Sequence, residues 1–209
     1  MQNLKTICEV PISKRDVKWE KKLFDAMAEF PIFLVEDQPF QGPDGFSYMH
    51  VSSEAGTEIN KDDFFKWCFE SGVGLVLNLK EKKAPDFVFN YGMVWNFLWR
   101  GDFVNEVQAD LVESDDTYVH EISEGFLPKE VRSVIRNFLE MNKMNDPKLT
   151  LVSGGDKTAY EILWYFKDLQ EAEEKDQMAL LEAISWFLPL DYRLAWAESL
   201  DDELLFKKL

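Results

Sequence analysis

Residues 148–166 have the sequence KLTLVSGGDKTAYEILWYF, and this stretch is the clearest indication of how the C-terminal half folds. Leu149–Val152 and Ala159–Phe166 are rich in β-branched, aromatic and aliphatic residues, a composition typical of strands. Between them stands Ser153-Gly154-Gly155-Asp156, a turn sequence. The stretch therefore predicts two antiparallel strands joined as a hairpin.

Upstream of the hairpin the sequence predicts a strand and a helix. The strand covers Thr117–Ile122. Pro128 then opens the helix, at a first-turn position where its missing N–H costs nothing. Apolar side chains follow at helical spacing, and Pro147 closes the connection; they are Val131, Val134, Ile135, Phe138 and Leu139.

Downstream of the hairpin the pattern is again helix, then strand. The helix carries an apolar stripe that Pro189 ends; its members are Leu180, Leu181, Ile184, Phe187 and Leu188. Leu190–Trp196 is the last strand, and we expect a short amphipathic helix over Asp201–Leu209. The order strand, helix, strand, strand, helix, strand is that of the ferredoxin-like, or split βαβ, motif. We therefore predict an α+β protein whose C-terminal domain is ferredoxin-like.

Alternation along the predicted strands separates two faces of this sheet. The face toward the helices carries Tyr160, Ile162, Trp164 and Phe166, and on the last strand Leu190, Tyr192, Leu194 and Trp196. The opposite face is mixed, with Glu161 and Tyr165 on one strand and Arg193 on the other. We predict that this mixed face is solvated, packs on the N-terminal domain or binds a partner.

The N-terminal half predicts a second α+β domain. A helix over Asp16–Phe30 is ended by Pro31, and Asn60 caps another helix that ends at Gly72. Strands are expected at 32–36, 46–52, 73–79 and along Phe87, Phe89 and Tyr91. No Lys or Arg occurs between Arg100 and Lys129, whereas eight acids do. Because such a stretch repels itself and extends, we place the boundary near Asp115 and predict domains 1–114 and 115–209.

The charge balance limits the partners. The chain of 209 residues has a net charge of −16 at pH 7. Nucleic-acid binding rests on clusters of Lys and Arg that neutralise phosphates, so it is excluded, as is an anionic membrane surface. The acidic field allows a basic protein partner without requiring one. The oligomeric state is left open.

Cysteine use and hydropathy indicate the compartment. Cys8 and Cys68 are the only cysteines, too few for a disulfide framework. Residues 1–15 lack the apolar region of a signal peptide, and no apolar run approaches the length of a membrane span. We expect a cytoplasmic protein.

Catalytic and metal-binding motifs are not found in the sequence, and no cofactor is predicted. His50 and His120 have no metal-ligand spacing, and Cys68 lies on the apolar stripe of a helix, as a structural thiol does. The run Ser153–Thr158 lacks phosphate-loop spacing and precedes a strand rather than a helix. The acids near Asp115 lack the order of a calcium loop. Catalytic activity is left open, although the sequence favours a protein that is not an enzyme.

Residues 87–103 contain seven aromatic side chains in seventeen positions. If the central part is helical, Trp95 and Trp99 lie one turn apart, with Arg100 beside them. Most of these rings are expected in the core or between domains. The alternative is a groove for a peptide or small ligand anchored by Trp95, Trp99 and Arg100.

Several short motifs resemble a known bacterial family. Asp44-Gly45-Phe46-Ser47-Tyr48, an acidic helix and Gly72-Val73-Gly74-Leu75-Val76-Leu77-Asn78 resemble the N-terminal domain of SseB-type (enhanced serine sensitivity) proteins. Leu127-Pro128, Gly154-Gly155 and Phe187-Leu188-Pro189 resemble that family's C-terminal domain. Leu79 departs from the pattern, since the family tends to place proline after the asparagine. The resemblance implies a small cytoplasmic protein with two α+β domains, and it carries over no catalytic residues.

Three hypotheses of function follow. The first is a non-enzymatic binding or regulatory protein that uses the mixed face and the Trp95–Arg100 segment. The second is a sensor in which the C-terminal βαββαβ unit binds a small metabolite such as an amino acid, by analogy with ACT-type regulatory modules of similar topology. The third is an acidic immunity protein, inhibitor or chaperone that neutralises a basic partner.

Overall fold

The computed structural model describes residues 3–80, 84–105, 118–153, 160–170, 172–197 and 206–209. It is a mixed α+β structure that contains α-helices and two mixed β-sheets. The chain divides into two compact units, 1–104 and 105–209. The boundary predicted near Asp115 falls in 106–117, outside the described residues, as do five of the eight acids between Arg100 and Lys129.

The first unit contains four α-helices and six strands among its described residues. The helices are α1 (Leu4–Cys8), α2 (Val17–Glu29), α3 (Lys61–Ser71) and α4 (Tyr91–Arg100). The strands are β1 (Phe33–Leu34), β2 (Phe40–Gln41), β3 (Ser47–Ser52), β4 (Thr57–Glu58), β5 (Gly74–Leu77) and β6 (Phe87–Phe89). The sheet order is β4-β1-β3-β5-β6, with β2 also on β3.

Local signals determine where these helices begin and end. Asp16 caps α2 by accepting from the Trp19 N–H, and Asn60 caps α3, as predicted for Asn60. Gly72 ends α3 with φ of +70°, a conformation that glycine adopts without steric cost. Lys61, partly buried at the start of α3, donates to the carbonyls of Met27 and Phe30 at the end of α2. It thereby satisfies acceptors that the helix itself leaves free.

The predicted strand through Tyr91 was wrong at its last residue. Asn90 accepts a hydrogen bond from the Met93 N–H at 2.8 Å, so the helix α4 begins at Tyr91. The alternation of aromatics that suggests a strand ends where this cap begins, because a satisfied cap favours the helix.

Aromatic rings fill the core of the first unit. Phe103 is fully buried, and its ring centroid lies 4.4 Å from that of Phe97 and 4.7 Å from that of Phe89. Phe24 and Phe65 each lie 5.8 Å away. Offset and tilted rings at such distances attract one another beyond the area they bury. This cluster joins α2, α3, α4 and β6.

The second unit contains α5 (Lys129–Met141), α6 (Glu174–Ser185), β7 (Tyr118–His120), β8 (Lys148–Ser153), β9 (Tyr160–Tyr165), β10 (Arg193–Trp196) and β11 (Lys207–Lys208). The predicted order of strands and helices from 117 to 196 is confirmed. Ile162, Trp164 and Phe166 are buried, as expected of the helix-facing side. Of the predicted turn Ser153–Asp156, only Ser153 lies among the described residues.

The strand order of this unit differs from the ferredoxin-like prediction. In a split βαβ motif, the two strands joined by each helix are separated by another strand. Here β7 pairs directly with β8, antiparallel, and β10 pairs directly with β9, parallel. The order is β10-β9-β8, with both β7 and β11 on the free side of β8. The element sequence is compatible with either arrangement, because pairing depends on contacts between distant segments.

The helix predicted over 201–209 is also wrong where the structure describes it. Residues 201–205 lie outside the description, but Lys207–Lys208 form the strand β11 on β8. Since β7 pairs with β8 only at Leu151–Ser153, the start of β8 would otherwise present unpaired backbone groups. Pairing with β11 satisfies them.

Candidate functional site

A polar cluster of the first unit lies at the carboxyl ends of β3 and β5. These strands run parallel, so the residues that follow them, Ser53 and Asn78, meet at one edge of the sheet. The Asn78 Oδ1 accepts from the Ser53 N–H at 2.9 Å, and its Nδ2 donates to the Ser53 Oγ at 2.9 Å. Asn78 has φ of +54°, in the left-handed region that asparagine tolerates better than most residues.

Arg15 and Asp86 extend this cluster. The Asn78 Nδ2 also donates to Asp86 Oδ2 at 2.9 Å, and Asp86 Oδ1 accepts from Arg15 Nη2 at 2.6 Å. Arg15 donates further to the carbonyls of Val10, Cys8 and Asp86, at 2.7–2.9 Å. Its guanidinium lies 4.5 Å from the Trp19 ring centroid. Both members of the ion pair are mostly buried, with side chains 11% and 16% exposed.

A cavity of about 440 Å³ adjoins the Arg15–Asp86–Asn78 cluster. Charged and polar groups line it together with the chain around Pro11; the lining includes Arg15, Asn78, Lys80 and Asp86. Cys8 also lines it, but burial and, to a lesser degree, the Asp86 charge raise the pKa of its thiol to about 11. A thiol with that pKa is protonated at neutral pH and is a poor nucleophile. The cavity is suited to binding a small charged molecule.

The predicted Trp95–Arg100 surface is only partly present. Trp95 is 3% exposed and therefore does not present its ring as a surface anchor. Its position on α4 places it with the buried Tyr91 and Val94. Trp99 is 50% exposed, with its ring packed on Phe69, and Arg100 is exposed beside it. Two tryptophans one helical turn apart therefore differ in exposure: Trp95 is buried and Trp99 is half exposed.

The structure brings Glu161 and Arg193 together on the mixed face of the second sheet. They are direct partners in the parallel pairing of β9 with β10, and both are partly buried. Burial raises the pKa of the Glu161 carboxyl, and the Arg193 charge offsets part of that shift. A carboxylate beside a guanidinium on a half-covered sheet can accept hydrogen bonds and ion pairs from a docked segment.

Tyr165 lies at the other end of β9 and is covered by the chain's own Phe206. The two rings meet edge to face with centroids 6.3 Å apart. On the neighbouring β8, Thr150 and Val152 alternate with the core-facing residues and yet are also buried. The mixed face is therefore half-covered rather than solvated throughout.

The histidines occupy structural positions. His50 lies in β3, where burial lowers its pKa. The His120 Nε2 lies 2.8 Å from the Ser153 Oγ, but Ser153 is 1% exposed, which denies a substrate access to that oxygen. Burial raises the pKa of Cys68 to about 12. Within the described ranges no group of three or more His, Cys, Asp or Glu side chains is placed to hold a metal ion.

Sequence reasoning missed the Arg15–Asp86–Asn78 cluster. One signal was present: Ser53 directly follows the predicted strand 46–52, and Asn78 lies near the end of the predicted strand 73–79, which in the structure stops at Leu77. Polar residues at the carboxyl ends of parallel strands lie together. The contact between Arg15 and Asp86 had no local signal, because 71 residues separate them.

Comparisons with known proteins found no matching family model, no matching curated protein and no matching solved structure. In the part of the chain that the structure describes, no helix combines the length and apolarity needed to cross a bilayer.

Proposed function

We propose that this protein is a non-enzymatic binding or regulatory protein that recognises another protein through the mixed face of its second sheet. The observation that carries the proposal is the Glu161–Arg193 pair. These charged residues are half-buried at the β9–β10 edge of the sheet, on the side away from the core. Partial burial destabilises the charged form of the Glu161 carboxyl. Ionisable groups in such unfavourable surroundings are more frequent at functional sites than elsewhere.

The charge distribution favours a basic partner. Residues 105–209 contain 23 acidic and 11 basic residues, whereas residues 1–104 contain 16 and 12. The negative charge is thus concentrated in the unit that carries the Glu161–Arg193 pair. Such a field raises the association rate of a cationic protein and makes it depend on salt. An acidic immunity protein or chaperone is a special case of this proposal.

Capture from cell lysate at low salt, with the immobilised full chain, tests the proposal. A double variant, E161A/R193A, removes the pair, and E173A/K175A is its control, because Glu173 and Lys175 form an exposed ion pair on the same unit at 2.6 Å. We expect the wild type and the control to retain the same protein and the double variant to lose it. The retained protein should elute as salt rises. Retention that is equal in all three chains would refute the proposal.

The cavity beside Arg15 supports a second candidate function, the sensing of a small metabolite such as an amino acid. Lys80 offers a cationic group to a carboxylate beside the Arg15–Asp86 ion pair. A thermal-shift screen of the twenty amino acids tests it, since a ligand at 100 times its Kd stabilises by about 2.7 kcal/mol. The shift should be lost in K80A, which leaves the Arg15–Asp86 pair in place. A flat profile in the wild type would exclude amino acids.

The cytoplasm is the compartment we propose, supported by the free, buried Cys8 and Cys68. Kinship with the SseB-type proteins is likewise a proposal, and it rests on the motifs quoted above.

A further inference from the structure

The segment Phe206–Leu209 occupies a groove on the second unit in the manner of a bound peptide. Its strand β11 pairs antiparallel with β8, with Lys207 opposite Leu149 and Lys208 opposite Lys148. The Leu209 N–H donates to the Pro147 carbonyl at 3.3 Å, and Arg136 donates to the Leu209 carbonyl. This is the geometry by which extended peptides add a strand to a sheet edge.

Side chains of the segment divide between the two faces of the sheet. Leu209 is 4% exposed and lies in the interior beside α5, whereas Phe206 packs on Tyr165 on the mixed face. Lys208 forms an ion pair with Asp146 at 2.6 Å. An aliphatic anchor, an aromatic ring and a lysine therefore supply the side-chain contacts.

Several features indicate that this docking is weak. Only two residues pair as a strand, and Lys208 lies directly opposite another lysine, a destabilising cross-strand pair. The Lys208–Asp146 ion pair is exposed, with side chains 77% and 51% accessible, and exposed pairs add little. A cavity of about 200 Å³ beside Lys208 and Leu209 leaves part of the groove unfilled.

We propose that the start of β8, with Arg136 and Asp146, is a strand-accepting site for a basic extended segment of a partner protein, and that Phe206–Leu209 is its exchangeable internal occupant. The inference rests on the proposed function and deepens it, since it names the kind of segment that is recognised. Displacement of Phe206 also bares Tyr165 on the mixed face. The unfilled cavity admits a side chain larger than leucine in the partner.

A labelled peptide with the sequence LLFKKL, that of residues 204–209, tests the proposal by fluorescence anisotropy. In the wild type the internal segment competes at the high effective concentration of a tethered ligand. In L209D the internal segment loses its buried anchor, and we expect the peptide to bind at least about tenfold more tightly than to the wild type. M141D is the matched control, because Met141 is 77% exposed on α5; it should behave like the wild type. The peptide LLFKKD should not bind.

F206A provides an independent route, because it removes the ring that packs on Tyr165 and leaves Leu209 in place. We expect it to bind LLFKKL more tightly than the wild type does, and R136Q in the same background to weaken that binding. If neither L209D nor F206A binds the peptide while circular dichroism shows F206A to be folded, strand exchange is overturned. That result leaves lysate capture through Glu161 and Arg193 unaffected, so the two proposals fail separately.

Discussion

Arg15 holds three separate parts of the first unit with one guanidinium. It bonds the end of α1 through Cys8, the chain at Val10 and the start of β6 through Asp86. Because the pair is mostly buried, removing one partner leaves the other charge without compensation. Arg15 therefore connects the N-terminal segment to the sheet through hydrogen bonds and an ion pair.

We expect R15M to lower the free energy of unfolding by about 3 kcal/mol. The control is K5M, because Lys5 and Glu54 form an ion pair at 3.2 Å whose side chains are about half exposed; its expected effect is below about 1 kcal/mol. Urea unfolding measures both. Equal effects would show that burial of the Arg15–Asp86 pair contributes nothing.

Glu161 predicts a pH dependence of stability. Burial raises the pKa of its carboxyl above the ordinary value of 4.5, so the folded state retains the proton where the unfolded chain has released it. The contribution of Glu161 to stability is therefore complete below that ordinary value and is lost as pH rises through the folded pKa. We expect the free energy of unfolding of the wild type to fall relative to that of E161Q as the pH rises from 4 to 7. Urea titrations across that range measure it, with E174Q controlling for the loss of one charge; a difference constant with pH contradicts the prediction.

At the scale of an element, α4 shows how one helix serves two environments. Its first six residues are buried, whereas Trp99 and Arg100 in its last turn are exposed. Since Trp95 and Trp99 have the same chemistry and lie one turn apart, they form a matched pair for separating core from surface.

We expect W95A to destabilise the protein by about 3–5 kcal/mol, because it removes a large buried side chain and leaves a cavity. For W99A the expected loss is below about 1 kcal/mol. Chemical denaturation followed by circular dichroism compares them without relying on tryptophan fluorescence. If W99A lowered the free energy of unfolding as much as W95A does, the conclusion that Trp99 is exposed would be wrong.

At the scale of the whole molecule, the two units differ in electrostatics. The second unit carries most of the net charge of −16, and like charges held in a compact structure repel one another. Raising the salt concentration shortens the screening length from about 30 Å at 0.01 M to about 8 Å at 0.15 M. The second unit should therefore gain more stability from salt than the first.

Hydrogen exchange measures that difference within one chain. Amides of β8 and β9 report on the second unit, and those of β3 and β5 provide the internal control. Between 0.01 M and 0.15 M sodium chloride we expect exchange to slow more in β8 and β9. Equal slowing in both sheets would argue against self-repulsion in the acidic unit.

Most of the helices and strands could be predicted from the amino-acid sequence, because their signals are local. Helical spacing, the Asn60 cap and Gly72 located the helices, and alternation along Ile162, Trp164 and Phe166 identified the buried side of β9. Each of these signals acts within a few residues along the chain, so no knowledge of the remaining structure is needed to recognise it.

The pairing of the strands and the contacts between distant residues could be seen only in the folded chain. The placement of β7 beside β8, the strand β11 at the free edge and the burial of Trp95 each depend on competition among segments far apart in sequence. The same holds for Arg15 with Asp86 and for Tyr165 with Phe206. A local pattern states which face of a segment is apolar, but the partner that covers that face is selected by the free energy of the whole fold.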